Sequence, residues 1–290
     1  MADQADKLRD LFSGKIKPTE FWAQNKTRII TIASGKGGVG KTSLTVNLAI
    51  ALSKKGKKVM ILDADLGMAN VDILMGIAPQ YTLFDVLQGK KTLREIVIEG
   101  AEGIKLVPGC SGIFEATNIG RSQREDLIQE LENYAREMDF ILIDTGAGIS
   151  QVVLGFIVSA DDVIIVVTPE PTSITDGYGI IKILSRFNLH KQVHLVINMA
   201  NNLQEAQESA HKIEIVADRY LHINIKRLGV MYFDNNVKRS VKEMTPFMVR
   251  YPRSQIARDV MQIANNILEQ KIGFNQGSTN FAQKLIGLFK

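Results

Sequence analysis

One short stretch constrains the fold more than any other part of the chain. Residues 35–42 read GKGGVGKT and contain the spacing G-x-x-x-x-G-K-[ST], which ends on Lys41 and Thr42. An apolar, β-branched run (residues 29–33) precedes this stretch, and a helix-like run (residues 43–54) follows it. Strand, glycine-rich loop and helix in this order converge backbone N–H groups and the positive end of a helix dipole on one anion. The sequence therefore predicts a loop that cradles phosphate groups.

The residue types in the loop predict a nucleoside triphosphate with Mg²⁺. We expect Lys41 to reach the β- and γ-phosphates and the Thr42 hydroxyl to bind the metal. The remaining phosphate contacts are expected from the loop residues Gly37, Gly38, Val39 and Gly40 and from the first helical residue, Ser43.

Carboxylates follow two further apolar runs. Asp63 and Asp65 come after residues 59–62, and Asp144 comes after residues 140–143. Continuous apolar runs of this length are typical of parallel strands buried on both faces, and ligands bind at the carboxyl ends of such strands. An apolar strand that closes on an aspartate is the arrangement that holds Mg²⁺ in nucleotide hydrolases, so Asp144 is predicted in the metal shell.

A second lysine in the loop narrows the class of nucleotide-binding protein that the sequence resembles. Lys36 gives the loop the form KGGxGK[ST], which resembles the deviant Walker A family of MinD, ParA, nitrogenase iron protein and the FlhG/FleN group. The resemblance implies that Lys36 contacts the nucleotide of a partner subunit, so that ATP drives homodimerisation. Residues 65–72 resemble the MinD-type switch, DxGxxNxD. This implies that Asp65 orients the attacking water, that Asp63 supports the Mg²⁺ shell indirectly, and that Asn70 responds to the γ-phosphate or the partner.

The resemblance also implies where the base binds. An asparagine at the end of a late strand reads adenine in this family, and Asn198 follows the apolar run 194–197. Asn201 and Asn202 lie close enough to remain alternatives. Asp234 is expected beside the base or the ribose, although the two aromatic residues before it depart from the family's Pro-x-Asp-type loop.

The N-terminal residues 1–25 are predicted to form an activator segment and a linker. Residues 3–9 read DQADKLR and resemble the DQAxxLR motif of FlhG-type proteins. That resemblance implies docking on the FlhF-type GTPase, with Gln4 supplied to the partner's active site and with Leu8 and Arg9 completing the motif. The alternative is a charged tail without a partner.

The C-terminal residues 273–290 are predicted to form a linker and an amphipathic helix. The helix over residues 279–290 is about 18 Å long, too short to span a bilayer but suited to lying in its interface. Its apolar arc consists of Phe281, Ala282, Leu285, Ile286, Leu288 and Phe289. A last helix docked on the core is the alternative.

Residues 26–272 are predicted to form a single α/β domain: a mostly parallel twisted sheet with helices on both faces, of the MinD-like P-loop type. One cysteine, Cys110, excludes a disulfide framework and a multi-cysteine metal cluster. The start has no secretory signal, so we expect a cytoplasmic protein that binds the inner face of the cell membrane peripherally in its ATP state. The net charge of +4 is too mild to imply nucleic acid.

These features together resemble an FlhG/FleN-type ATPase that hydrolyses ATP to ADP and phosphate. The resemblance implies control of flagellar number and position, with FlhF and flagellar switch (C-ring) proteins as partners. A MinD-type division-site regulator is one alternative, although it would lack residues 3–9. A ParA-type DNA-partition ATPase is another, and its basic surface would draw on Lys238, Arg239, Lys242, Arg250 and Arg253.

Overall fold

A computed structural model describes residues 27–65, 70–109, 121–221 and 223–269, leaving aside the side chains of residues 121–125 and 128. The predicted activator segment, the C-terminal segment, Cys110 and part of the switch region lie outside the described residues. The proposed domain boundaries at residues 25 and 272 therefore stay predictions.

The strands in the described part of the chain form one sheet. They are β1 (Arg28–Ala33), β2 (Val59–Ala64), β3 (Ile98–Glu99), β4 (Lys105–Val107), β5 (Phe140–Thr145), β6 (Asp162–Val167), β7 (Gln192–Ala200) and β8 (Asn224–Tyr232). Their order across the sheet is β3-β4-β2-β5-β1-β6-β7-β8. All neighbouring pairs are parallel except β3 with β4, which is antiparallel. The prediction of a mostly parallel α/β sheet is confirmed.

Helices connect these strands and cover both faces of the sheet. They are α1 (Lys41–Lys54), α2 (Val71–Met75), α3 (Leu83–Leu87), α4 (Leu93–Ile96), α5 (Arg121–Ala135), α6 (Gln151–Ser159), α7 (Pro171–Arg186), α8 (Leu203–Tyr220), α9 (Asn235–Lys242), α10 (Phe247–Arg250) and α11 (Gln255–Glu269). None of the helices in the described ranges is long and apolar enough to cross a membrane.

The two faces of the sheet bury different helices. One face packs against α1, α10 and α11, with Leu48 and Ile263 among the side chains that are fully buried there. The other face packs against α3 to α6 beneath β2 and β5, and against α6 to α8 beneath β6 and β7. Because β1 has a strand on each side and both its faces covered, the loop that follows it is held at the centre of the sheet's carboxyl edge.

Two local features differ from what residue types alone suggest. Thr172 and Ser173 have side chains typical of a helix cap, but α7 begins before them at Pro171, whose fixed φ suits the first helical position. The Ser173 hydroxyl instead accepts a hydrogen bond from the Thr168 N–H at 2.9 Å, which ties the helix to the end of β6. Residues 228–231 are a short apolar run, but the strand is longer, because β8 runs over Asn224–Tyr232 along β7.

Candidate functional site

A cavity of about 880 Å³ opens at the carboxyl edge of the sheet. The glycine-rich loop and the start of α1 form its floor, and the ends of β7 and β8 with α9 form one wall. Among its lining residues are the predicted Gly37, Gly38, Gly40, Lys41, Thr42, Ser43, Asp65, Asn70, Asn198 and Asp234. The sheet thus brings together residues from five separate parts of the sequence at one site.

Two glycines of the loop stand where the surrounding protein leaves no room for a side chain. Gly40 has φ +92°, and a Cβ on it would lie 2.3 Å from the Asn198 side-chain nitrogen. A Cβ on Gly35 would lie 2.4 Å from the backbone of Asp176 in α7. Gly40 therefore supplies the left-handed turn into α1, and Gly35 allows the loop to pack against α7.

Lys41 lies under the loop and is only 7% exposed. Its ammonium donates a hydrogen bond to the Ser34 hydroxyl at 3.0 Å. Burial lowers the pKa of Lys41, and the carboxylates of Asp144 and Asp65 oppose that shift. A cation held among these groups at the base of a phosphate loop is poised to bind anionic oxygens.

Asp144 is fully buried at the end of β5, where two hydroxyls of α1 bind its carboxylate. Thr42 Oγ1 donates to Oδ2 at 2.6 Å, and Thr45 Oγ1 donates to Oδ1 at 3.0 Å. Burial raises the pKa of Asp144 to about 6, although these hydrogen bonds and the charge of Lys41 act in the opposite direction. A hydroxyl and a carboxylate in contact are oxygen donors of the kind that Mg²⁺ prefers, so the donor set fits the predicted metal.

Asp63 stands beside Asp144 in the register of β2 and β5. Its carboxylate accepts hydrogen bonds from the N–H groups of Asp65 at 3.2 Å and Val71 at 3.4 Å. Burial, and then repulsion from Asp144, raise the pKa of Asp63 to about 7. Through these two hydrogen bonds Asp63 holds the backbone at both ends of the switch region, which fits an indirect role in the metal shell.

Asp65 begins the switch region at the mouth of the cavity. A Cβ on Gly146, in the loop after β5, would approach Asp65 Oδ1 to 3.3 Å. Asp65 thus lies where the loops after β2 and β5 approach each other. Its carboxylate is close enough to Lys41 to oppose the lowering of the Lys41 pKa. A carboxylate placed there is suited to orienting a water molecule at the terminal phosphate.

Lys36 occupies a different environment from Lys41. Its side chain is 40% exposed, and its ammonium lies 2.5 Å from Glu170 Oε2. The ammonium also donates to the Thr172 hydroxyl at 3.1 Å. Lys36 is therefore held against the start of α7, outside the network that surrounds Asp144.

The residues predicted to contact the base bind neighbouring protein groups. The Asn198 side-chain nitrogen donates to the Val39 carbonyl at 2.7 Å, and its oxygen accepts the Met199 N–H at 2.8 Å. Asp234 caps α9 by accepting the Asn236 N–H at 2.8 Å. Both residues line the cavity, so the base contacts stay a prediction, but each side chain also fixes the backbone of the wall around it.

Several residues of the site were missed by the sequence reasoning. Thr45 falls three positions after Thr42 and so shares its helical face, a signal that was available. Ser34 precedes the motif and contacts Lys41 within the same loop. Glu170 and Thr172 are distant in sequence, so their contacts with Lys36 depend on the packing of α7 against the loop.

Comparison with known proteins places this geometry in a family. A profile described as an AAA domain matches residues 27–203. The antiactivator FleN of Pseudomonas aeruginosa is 37% identical over 248 residues, which cover 86% of this chain and 89% of FleN. The chain belongs to the FlhG/FleN group of MinD/ParA-type ATPases. This ATPase is thus a P-loop enzyme that hydrolyses ATP.

Two further relatives agree with that placement. The flagellum site-determining protein YlxH of Helicobacter pylori is 32% identical to this FlhG/FleN-type chain over 271 residues, covering 93% of the chain and 92% of YlxH. The structure of the septum site-determining protein MinD from Pyrococcus horikoshii, complexed with Mg-ADP, matches with a TM-score of 0.68 and 28% identity. That match covers 85% of this chain and 100% of MinD. The family implies a nucleotide and Mg²⁺ at the site.

Proposed function

We propose that this ATPase sets the number or position of flagella through a cycle driven by ATP. In the cycle, ATP binding produces a homodimer, the dimer associates with the inner face of the cell membrane, and hydrolysis to ADP and phosphate releases it. The name of one relative, the flagellum site-determining protein YlxH, supports the cellular role. The observation that carries the cycle is the exposed position of Lys36 at the rim of an otherwise self-contained phosphate site.

The chain's own residues divide the catalytic work. The loop N–H groups and the Lys41 ammonium bind the phosphates, while Thr42 and Asp144 are the residues that would hold Mg²⁺. When bound, Mg²⁺ neutralises charge on the phosphate oxygens. Asp65 orients the attacking water towards the terminal phosphate, and Asp63 keeps the backbone of the switch in place through its two hydrogen bonds.

Substitution of Asp65 tests the hydrolytic step. Asp65→Ala should leave ATP binding close to wild type and reduce phosphate release by about 10²–10⁴-fold, the usual contribution of a positioned acid–base group. Asp218→Ala, which removes an exposed carboxylate on α8, is the matched control. Normal phosphate release by Asp65→Ala would exclude the assigned role.

The N-terminal segment is proposed to activate an FlhF-type GTPase. Deletion of residues 1–20 should remove stimulation of the partner's GTPase and spare this protein's own ATPase. Gln4→Ala should cause most of that loss, because a glutamine that orients water has no substitute in alanine. Lys7→Ala changes a position that the motif leaves open and is the control. Equal stimulation by Gln4→Ala and Lys7→Ala would contradict this role.

The C-terminal segment is proposed to anchor the ATP dimer on the membrane. One short amphipathic helix binds weakly, whereas two on a dimer can gain about 10²–10⁴-fold in avidity. The double variant Phe281→Asp, Leu285→Asp should therefore fail to float with liposomes. Asn280→Asp with Gln283→Asp adds the same charge on the polar arc as a control. Equal flotation of the wild type with ATP and with ADP would contradict the dimer-avidity switch.

Two other functions remain as alternatives with their own tests. A MinD-type division regulator shares the nucleotide core, and the GTPase assay with residues 1–20 present and absent separates that function from the flagellar one.

A DNA-partition role draws on the basic residues near α9, but Lys238 and Lys242 line the nucleotide cavity and Arg250 pairs with Glu243 at 2.7 Å. Salt-dependent DNA binding without liposome binding would favour that role. Flagellar switch proteins are proposed as further partners, to be tested by pull-down.

A further inference from the structure

Helices α1 and α11 lie side by side on one face of the sheet and share a buried core. Both begin at the carboxyl edge, because α1 follows the phosphate loop and Asp259 of α11 accepts the N–H of Tyr232 at the end of β8 at 2.9 Å. Both end at the opposite, amino edge. There, Arg28 at the start of β1 donates to the Ile267 carbonyl at 2.8 Å.

The chain reverses from α1 into β2 at this amino edge through the sequence KKGKK, residues 54–58, which we call the lysine turn. Gly56 has φ +77° and so supplies the left-handed conformation that the reversal requires. Lys55 and Lys58 are exposed, and Lys57 is half-buried. The reversal therefore presents several ammonium groups close together beside the end of α11.

The lysine turn carries uncompensated positive charge. Of its lysines, only Lys54 has an ion-pair partner among the described residues: it lies 3.5 Å from Glu102. Two other carboxylates at this edge are also engaged, since Glu137 pairs with Arg94, and Asp139 accepts the backbone N–H of Lys58 at 2.8 Å. Because the backbone N–H is uncharged, Asp139 keeps its negative charge, and the four lysines of the turn exceed the carboxylates of Glu102 and Asp139 by two charges.

The proposed membrane segment leaves the core at the same place. The last described residue of α11 is Glu269, and residues 270–278 separate it from the predicted membrane helix over residues 279–290. Nine residues span at most about 32 Å when fully extended. A membrane that takes up the helix therefore lies within about 32 Å of the corner of the domain where α1 and α11 end.

We propose that the lysine turn is a second membrane contact, which binds the headgroups of anionic lipids when the C-terminal segment inserts. This inference rests on the proposed membrane function and adds an orientation to it. The corner formed by the ends of α1 and α11 faces the lipid, and the nucleotide site at the opposite edge of the sheet faces away. Anionic lipid attracts basic groups near its surface by a factor of about five per lysine.

The test compares two variants that lose the same charge. Lys55→Gln with Lys58→Gln removes the two exposed ammonium groups of the turn, and Lys182→Gln with Lys212→Gln removes two exposed groups from α7 and α8. Full-length proteins with ATP are floated with vesicles of phosphatidylcholine alone or mixed with phosphatidylserine, at low and at high salt. ATP hydrolysis in solution and circular dichroism check that each variant is folded and active.

The lysine-turn variant should bind the phosphatidylserine vesicles about 25-fold more weakly than wild type at low salt, and the difference should shrink at high salt. The α7/α8 control should bind as wild type does. If wild type floats and the two variants float equally, this inference is overturned while the membrane function stands. If wild type does not float and Phe281→Asp, Leu285→Asp changes nothing, the membrane function itself fails. Loss of DNA retention in the lysine-turn variant, with unchanged flotation, would assign the turn to nucleic acid and also overturn the proposal.

Discussion

The two ends of the phosphate loop hold their lysines in different ways. Lys41, at the helix end, is buried and bound to Ser34, close to Asp144 and Asp65. Lys36, at the strand end, is exposed and bound to Glu170 and Thr172 at the start of α7. The Lys41 site is completed by groups from its own chain, whereas Lys36 is held by a surface ion pair, a kind of contact that contributes little to stability. The contrast is consistent with the proposal that Lys41 serves the nucleotide of its own chain and Lys36 that of a partner subunit.

The largest effect is expected from removing the buried lysine. Lys41→Ala should weaken ATP binding by roughly 10²–10³-fold, because it deletes one partner of a buried charge network and leaves the phosphates without their cation. Titration with a fluorescent ATP analogue measures this. Lys182→Ala, on the surface of α7, is the control. A loss of less than tenfold would mean that Lys41 contributes little to ATP binding and would contradict the role assigned to it.

The buried carboxyl groups of Asp63 and Asp144 should make the free energy of unfolding depend on pH. Asp63 has a pKa raised to about 7 and Asp144 a pKa raised to about 6, so each binds a proton more tightly in the folded protein than in the unfolded chain. Their contribution to stability is full below the ordinary aspartate pKa and is lost as pH rises through about 6 to 7. The loss amounts to a few kcal/mol at most for the protein without nucleotide or Mg²⁺.

Urea unfolding in the presence of a chelator, from pH 5 to pH 8, measures this dependence. Asp63→Asn should flatten the decline, and Asp218→Asn on the surface should not. Since Mg²⁺ binds the deprotonated carboxylate, adding Mg²⁺ with ADP should restore most stability at pH 8 and little at pH 5. If stability rises between pH 5 and pH 8 in the presence of the chelator, the raised pKa values of Asp63 and Asp144 are contradicted.

The smallest effect is expected at the exposed end. Glu170→Gln removes the ionic partner of Lys36 and keeps the Thr172 hydroxyl, so it should release the lysine only partly. Dimerisation with ATP should increase by no more than about fivefold, the range of one surface ion pair. Sedimentation of the Asp65→Ala protein with and without Glu170→Gln measures it, with Glu208→Gln on α8 as control. A decrease would mean that Glu170 supports the dimer.

Sequence patterns predicted the parts of the site that follow from local chemistry. The phosphate loop, the strand ends at Asp63 and Asp144, and the parallel sheet depend on periodicity, glycine and short-range order, and the fold is confirmed. The pattern did not reveal that Glu170 and Thr172 bind Lys36, because those contacts arise when α7 packs against the loop. It also did not reveal that Ser34 binds Lys41, because Ser34 lies outside the motif. A pattern of residue types names the groups that a site needs, but not which of them are engaged with each other.

Packing between distant residues also explains why the contacts at the start of α7 and around Asn198 could not be predicted from the sequence. Thr172 and Ser173 have the residue types of a helix cap, yet Pro171 already fixes the start of α7 and frees both hydroxyls for contacts with Lys36 and Thr168. Asn198 was predicted from its place at a strand end, and its bond to Val39 depends on the close approach of β7 to the loop. Such approaches are decided by packing over long sequence separations.

The most direct test of the contrast uses ATP-bound protein in which hydrolysis is blocked. In the Asp65→Ala background, sedimentation should show a dimer with ATP and a monomer with ADP. Adding Lys36→Ala should leave ATP affinity within about threefold of the parent but abolish the dimer, because the group that reaches the partner's nucleotide is gone while Lys41 still binds its own. A dimer that persists with ATP, or a loss of ATP affinity as large as that of Lys41→Ala, would contradict the account.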